Sequence, residues 1–258
     1  AANWLQLSGT KTPERRLALI FANYPNKDGR LGNGVGLDSP ASALNLLQAL
    51  AAASYEVGTL PAKGDDLINR LAAGPTNDLT DRKDRPGGIK YPVSNYNTFF
   101  ASLPMTIQAR VIERWGPPAD DPFVVGDDFV LAGFMQGNVM IGLQPARGYN
   151  IDPKSSYHDP DLVPPHGYLA FYGWLRQVFQ VQAVIHMGKH GNLEWLPGKS
   201  IALSEACFPE AILGPLPHLY PFIVNDPGEG TQAKRRAQAV IVDHLTPPLT
   251  RAESYGPL

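Results

Sequence analysis

An α/β fold of two packed, three-layer-like β/α subdomains joined by long Gly- and Pro-rich loops is the expectation for this chain. Three observations carry it. Apolar runs of strand length, LALIFANY at 17–24 and QAVI at 182–185, are each followed by a glycine-bearing loop. Between them lie stretches whose apolar residues recur at helical spacing. The character of the chain changes near Ala146, where a Pro- and Asp-rich loop begins, which divides it into 1–146 and 147–258.

In order, Arg15 and Arg16 introduce the first strand, and Pro25 to Gly36 form a glycine-rich loop. Asp38 or Ser39 can cap the helix that follows, with Pro40 in its first turn and Ala43, Leu44, Leu47 and Leu50 as its apolar stripe. A strand, a glycine-rich loop and a helix N-terminus form a natural anion site, although the same pattern also serves as a plain connection. GRLGNGVG has neither the dinucleotide nor the phosphate-loop spacing, so no nucleotide is expected there. Tyr55–Leu60 reads as a strand and Asp65–Ala73 as a helix. Gly74–Asn97, rich in Asp, Arg, Gly and Pro, is long for a plain connection and reads as a lid or insertion. Met105–Trp115 has helical spacing, and Phe129–Ala146 reads as two strands around Gly137-Asn138 because polar residues and three glycines interrupt any membrane-span pattern. Arg147, Tyr149, Tyr157 and His158 then fall in a loop of ligand-covering type.

Pro164–Gln180 is a helix with an aromatic face that includes Tyr168, Tyr172, Leu175 and Phe179. After the strand at 182–185 come a helical Ser204–Leu213 around Cys207, an apolar run at Pro221–Val224 and a last helix over about 230–245. The closing RAESYGPL, without a tidy ending, suggests a piece of a longer chain.

Composition excludes some functions. A formal charge of -2 with scattered Lys and Arg offers no basic face for nucleic acid or anionic lipid. One cysteine, Cys207, permits neither an internal disulfide nor a thiolate metal cage and fits a reducing cytoplasm. The ends carry no targeting signal.

The densest chemistry lies in QAVIHMGKHGNLEWLPGK, 182–199. His186 arrives at the end of a strand, and Gly188, Lys189, His190, Gly191, Glu194 and Trp195 follow on a turn. Imidazole and carboxylate suit cobalt or zinc, so His186, His190 and Glu194 are candidate metal ligands. The zinc-protease pattern is absent because position 187 is Met. Glu194 beside Trp195 also fits a general base. No Gly-x-Ser-x-Gly turn or activated cysteine pattern competes.

HMGKHGNLEWLPGK (186–199), NDPGEGTQAKRRAQAVIVDHLTPP (225–248) and NYPNKDGRLGNGVGLDSPAS (23–42) resemble the large subunit of the cobaltochelatase and magnesium chelatase family, CobN type. The likeness spans nearly the whole chain, and family members are several times longer. It implies ATP-dependent insertion of a divalent metal into a tetrapyrrole. GVGLDSP (34–40) looks more like the cobalt branch, in which Co2+ enters hydrogenobyrinic acid a,c-diamide on the aerobic route to cobalamin. ATP and Mg2+ would be used by an AAA+ partner acting with an integrin-domain-like subunit. On this resemblance His186, His190 and Glu194 are expected to be catalytic. Lys189, Asn33, Asp38, Arg235 and Arg236 are expected to hold ring carboxylates. A magnesium chelatase acting on protoporphyrin IX and a His/Glu metal-dependent hydrolase are the competing expectations.

Overall fold

In the computed structural model the described residues are 1–23, 31–32, 37–152, 159–188, 193–221 and 227–242. Strand β1 (Leu17–Phe21) is buried at every position, which is why it reads as a continuous apolar run and not as an alternation. It lies between β6 (Val139–Leu143) and β7 (Ala183–Met187), parallel to both, with Phe21 level with Leu143 on one side and Met187 on the other. With β5 (Gly133–Gln136), β8 (His218–Pro221) and β9 (Ala239–Val242) they form a six-stranded sheet in the order β5-β6-β1-β7-β8-β9. Only β5 runs antiparallel, joined to β6 by the turn at Gly137-Asn138. Gly137 has φ +58 and packs so closely on the 56–58 backbone that a Cβ would sit 2.5 Å from Gly58 N.

Alternate residues of β1 face opposite cores, giving three layers. Leu17, Leu19 and Phe21 pack with α2 (Ser39–Ala52) and α3 (Asp65–Ala73) through Ala43, Leu47, Leu67 and Leu71. Ala18 and Ile20 face the other core, filled by α4 (Val93–Ala101), α5 (Met105–Trp115), α6 (His166–Gln177) and α7 (Phe208–Leu213). Each fully buried Leu, Ile or Phe there stabilises the fold by about 2 kcal/mol before chain entropy is set against it. A small antiparallel sheet, β2 (Ile89–Pro92), β4 (Asp128–Leu131) and β3 (Val124–Val125), lies beside α4 and α6.

This topology has a switch point between β1 and β7. The chain leaving β1 continues to α2 and α3 and on to β5 and β6, whereas the chain leaving β7 goes to α7 and β8 on the opposite side. Connections that diverge from adjacent parallel strands leave an opening outside the carboxyl ends of those strands. The glycine-rich loop after β1 and the His-Glu segment after β7 leave from those two ends.

The mixed α/β class holds. The expected boundary at Ala146 falls inside the architecture: β1, β5 and β6 precede it, β7, β8 and β9 follow it, and all six share one sheet. Several elements differ from expectation. Tyr55–Leu60 is irregular, because Gly58 takes φ +62 and the Glu56 carbonyl accepts from Asn138 N–H, so the segment supports the β5–β6 turn. The expected lid at Gly74–Asn97 holds β2 and the start of α4, whose Tyr96, Phe99 and Phe100 belong to the core. A helix α1 (Ala2–Gly9) precedes the first strand. The last helix, α8 (Pro227–Arg236), ends early: Gln238 adopts φ +52, and the β-branched Val240-Ile241-Val242 run continues as strand β9. The apolar run expected at 221–224 is a strand displaced to His218–Pro221; residues 222–226 are outside the described set. No described helix is long and apolar enough to cross a membrane.

Candidate functional site

His186 is the penultimate residue of β7 and 2% exposed. Its parity on the strand turns it toward α6, as it does Val184, which packs in that core. Its Nε2 lies 3.2 Å from the Tyr172 hydroxyl, and its Nδ1 lies 2.8 Å from Nε2 of His218, the first residue of β8. The Nδ1 of His218 lies 2.9 Å from the Ala237 carbonyl. On the other side, the Tyr172 hydroxyl donates to Gln144 Oε1 at 2.9 Å, and Gln144 Nε2 donates to the Tyr168 hydroxyl at 3.0 Å. Gln144 follows β6, Tyr168 and Tyr172 lie one turn apart on α6, and His186 and His218 come from β7 and β8, so four elements build one buried polar chain.

Burial sets the charge states. It drives His186 well below the ordinary imidazole range, with His218 adding to the effect, and it lowers His218 to about 4 against the raising influence of the Ala237 carbonyl. Both rings are therefore neutral at physiological pH. Burial likewise raises Tyr168 and Tyr172, and the negative charge of Glu194 contributes to both shifts.

Glu194 sits on a single 3-10 turn, Leu193–Trp195, and is fully buried. That turn is gripped through its backbone. Arg236, the last residue of α8, donates to the carbonyls of Glu194 (2.6 Å), Leu196 (2.7 Å) and Lys199 (3.0 Å), and the buried Arg147 donates to the Trp195 carbonyl at 2.6 Å. Two guanidinium groups thus fix the carboxylate's own turn next to the tyrosines whose acidity it alters. The Cys207 thiol holds the far end: the N–H groups of Lys199 and Ser204 each point at its sulfur from 3.5 Å. Burial pushes this thiol up, but those N–H groups and the Lys199 charge outweigh it and leave it below the ordinary thiol range.

Of the residues singled out in the sequence, His186 is hydrogen-bonded into the tyrosine-glutamine chain, and Glu194 acts on Tyr168 and Tyr172 through its charge. Both His186 nitrogens are engaged inside the protein, so metal ligation by Nε2 would require displacing Tyr172. Arg236 is committed to backbone carbonyls, Arg235 is exposed, and Asp38 caps α2 by accepting from Ala41 N–H at 3.0 Å. Asn33, Lys189, His190 and the glycine-rich stretches 24–30 and 33–36 lie outside the described residues. Among the described residues no three His, Cys, Asp or Glu side chains form a metal-holding group. Sequence reading missed Gln144 and His218. Arg147, Tyr168 and Tyr172 were visible in it only as members of a loop and of an aromatic helix face.

A mostly parallel sheet with buried His, Tyr and Glu side chains beside its central strands puts the candidate site of this α/β protein near a topological switch point, the region where open α/β sheets bind ligands. The chain belongs to the CobN/magnesium chelatase family, whose model matches residues 1–258. It is 63% identical over 258 residues to the aerobic cobaltochelatase subunit CobN of Sinorhizobium sp, covering 100% of this chain and 20% of that protein. It is 36% identical over 256 residues to a magnesium-chelatase subunit of Chlorobaculum parvum, covering 99% of this chain and 20% of that protein. Its fold matches the catalytic subunit of cobaltochelatase from Mycobacterium tuberculosis with a TM-score of 0.84 and 46% identity, over 99% of this chain and 22% of that one. The chain thus spans about a fifth of the length of these relatives.

Proposed function

We propose that this chain is the part of an aerobic cobaltochelatase large subunit that holds the tetrapyrrole and removes its inner proton as Co2+ enters, the macrocycle being hydrogenobyrinic acid a,c-diamide. The observation that carries the reading is the fully buried Glu194 carboxyl, held on a turn clamped by Arg236 and Arg147 beside the Tyr168-Gln144-Tyr172-His186 chain. Insertion into a corrin requires loss of its inner N–H proton from the ring and loss of water from the ion, so a carboxylate kept from bulk water and fixed in position suits the proton-accepting step. Macrocycle binding brings the centre of the ring's face to this turn, and Glu194 takes the inner N–H proton. The higher identity to the cobalt relatives than to the magnesium ones favours cobalt as the inserted metal. His190 and Lys189, on the segment between β7 and the Glu194 turn, are the residues we assign to meeting the ion and the ring's carboxylates, with Asn33 on the loop after β1. Asp38 and Arg236 shape the site through the backbone instead. ATP hydrolysis with Mg2+ belongs to an AAA+ partner working with an integrin-domain-like subunit, and the reaction takes place in the cytoplasm.

Spectral titration tests the binding half of this reading. Metal-free hydrogenobyrinic acid a,c-diamide added to the complete large subunit is expected to give a saturable absorption shift, larger than that given by protoporphyrin IX. Absence of any shift with either ring would overturn it, and a shift with protoporphyrin IX alone would move the assignment to the magnesium branch.

A further inference from the structure

The buried chain ends on a group with only one chemical option. A backbone carbonyl accepts and never donates, so the hydrogen between Ala237 O and His218 Nδ1 resides on the imidazole. Both imidazoles are neutral in their burial, which leaves His218 Nε2 as a bare acceptor. The 2.8 Å contact from His186 Nδ1 then requires the hydrogen on His186 Nδ1, and His186 Nε2 keeps a lone pair. That lone pair faces the Tyr172 hydroxyl at 3.2 Å and draws on the same phenolic hydrogen that serves Gln144 Oε1.

The carbonyl is itself held in place. Ala237 N–H donates to Ala233 O at the end of α8, and Gln238, the next residue, takes φ +52 and donates to Glu210 Oε2 at 3.1 Å. Residue 236 grips the Glu194 turn while residue 237 orients the histidines, so one helix end sets both halves of the site.

We propose that His218 is a positioning residue: through the Ala237 carbonyl it locks His186 in the Nδ1–H tautomer, so that Nε2 fixes the Tyr172 hydroxyl and the hydroxyl wall beside Glu194 keeps one orientation. With the opposite tautomer His186 Nε2–H would donate to the Tyr172 oxygen, and the phenolic hydrogen would pass wholly to Gln144 Oε1. The proposal rests on the chelatase reading for its catalytic consequence but not for the tautomer itself.

Neutron diffraction from crystals of the deuterated complete large subunit reads the tautomer directly. Deuterium is expected on Nδ1 of both His186 and His218 and on neither Nε2; deuterium on His186 Nε2 overturns the proposal whatever the protein's activity. Kinetics separate positioning from packing. His218→Phe keeps a ring and removes both polar contacts, and the insertion kcat is expected to fall by about tenfold or more, with the macrocycle KM little changed. His218→Gln sets an amide oxygen near the former Nε2, retains an acceptor for His186 and recovers a large part of that loss. A Phe variant at least as active as the Gln variant would mean that His218 only fills space, and would overturn the proposal.

Discussion

Arg236 is where a single side chain affects the site most widely. Its three hydrogen bonds to the Glu194, Leu196 and Lys199 carbonyls use the fixed fork of a guanidinium, which a lysine ammonium cannot reproduce. Arg236→Lys should free the turn, at a local cost of about 1–3 kcal/mol. Exchange of the Leu196 amide, which donates to the Leu193 carbonyl, should then quicken by about tenfold or more. Unchanged protection would show that Arg147 and local packing suffice. This role was not legible in the sequence, where Arg235 and Arg236 are two cations on a helix and nothing says which one turns inward. His186 and Glu194 were legible because they lie eight positions apart in a segment crowded with glycine and polar groups. Gln144 and His218 were not, since contacts to residues 28 and 32 positions away leave no periodic mark on the chain.

Elements inherit their placement from a few such contacts. The first turn of α6, which carries Tyr168 and Tyr172, is tied down by Asp121: its Oδ2 accepts from Gly167 N–H and its Oδ1 from Phe123 N–H, each at 2.9 Å. Burial pushes this carboxyl up to about 6, against those N–H groups and Arg82, which favour the charged form. An acid that holds its proton more tightly when folded stabilises the fold below its unfolded pKa, and that contribution disappears as pH rises through the folded pKa. From pH 4 to pH 7 the unfolding free energy of this chain should therefore fall, relative to Asp121→Asn, by about 2 kcal/mol. Parallel pH profiles in denaturant would contradict this. Strong apolar runs, apolar residues at helical spacing and the Asp38 cap of α2 made β1, β7, α2, α3 and α5 readable in advance. β9 and α4 were misread because their ends are set by Gln238 at φ +52 and by a hydrogen bond from Val93 N–H to Asp127 O, neither of which has a local sequence signal.

Across the chain as a whole, a six-stranded sheet carries the site by bringing the ends of β1 and β7 together, with two loops diverging from them. The two segments that looked most like ligand loops in the sequence leave adjacent strands, although they are separated by more than half the chain. The relatives it matches are about five times longer than this chain, and on the proposed reading ring enclosure and partner contacts would involve that further length. The proposed chemistry turns on one carboxyl group. Glu194→Gln keeps the shape and burial of the side chain and removes its ability to take a proton. Assayed in the complete large subunit with its partners, the variant should bind the metal-free corrinoid with the same absorption shift while Co2+ insertion falls by about a hundredfold or more. Insertion at the wild-type rate with Gln at position 194 would remove Glu194 from the proton-accepting role and with it the proposed mechanism.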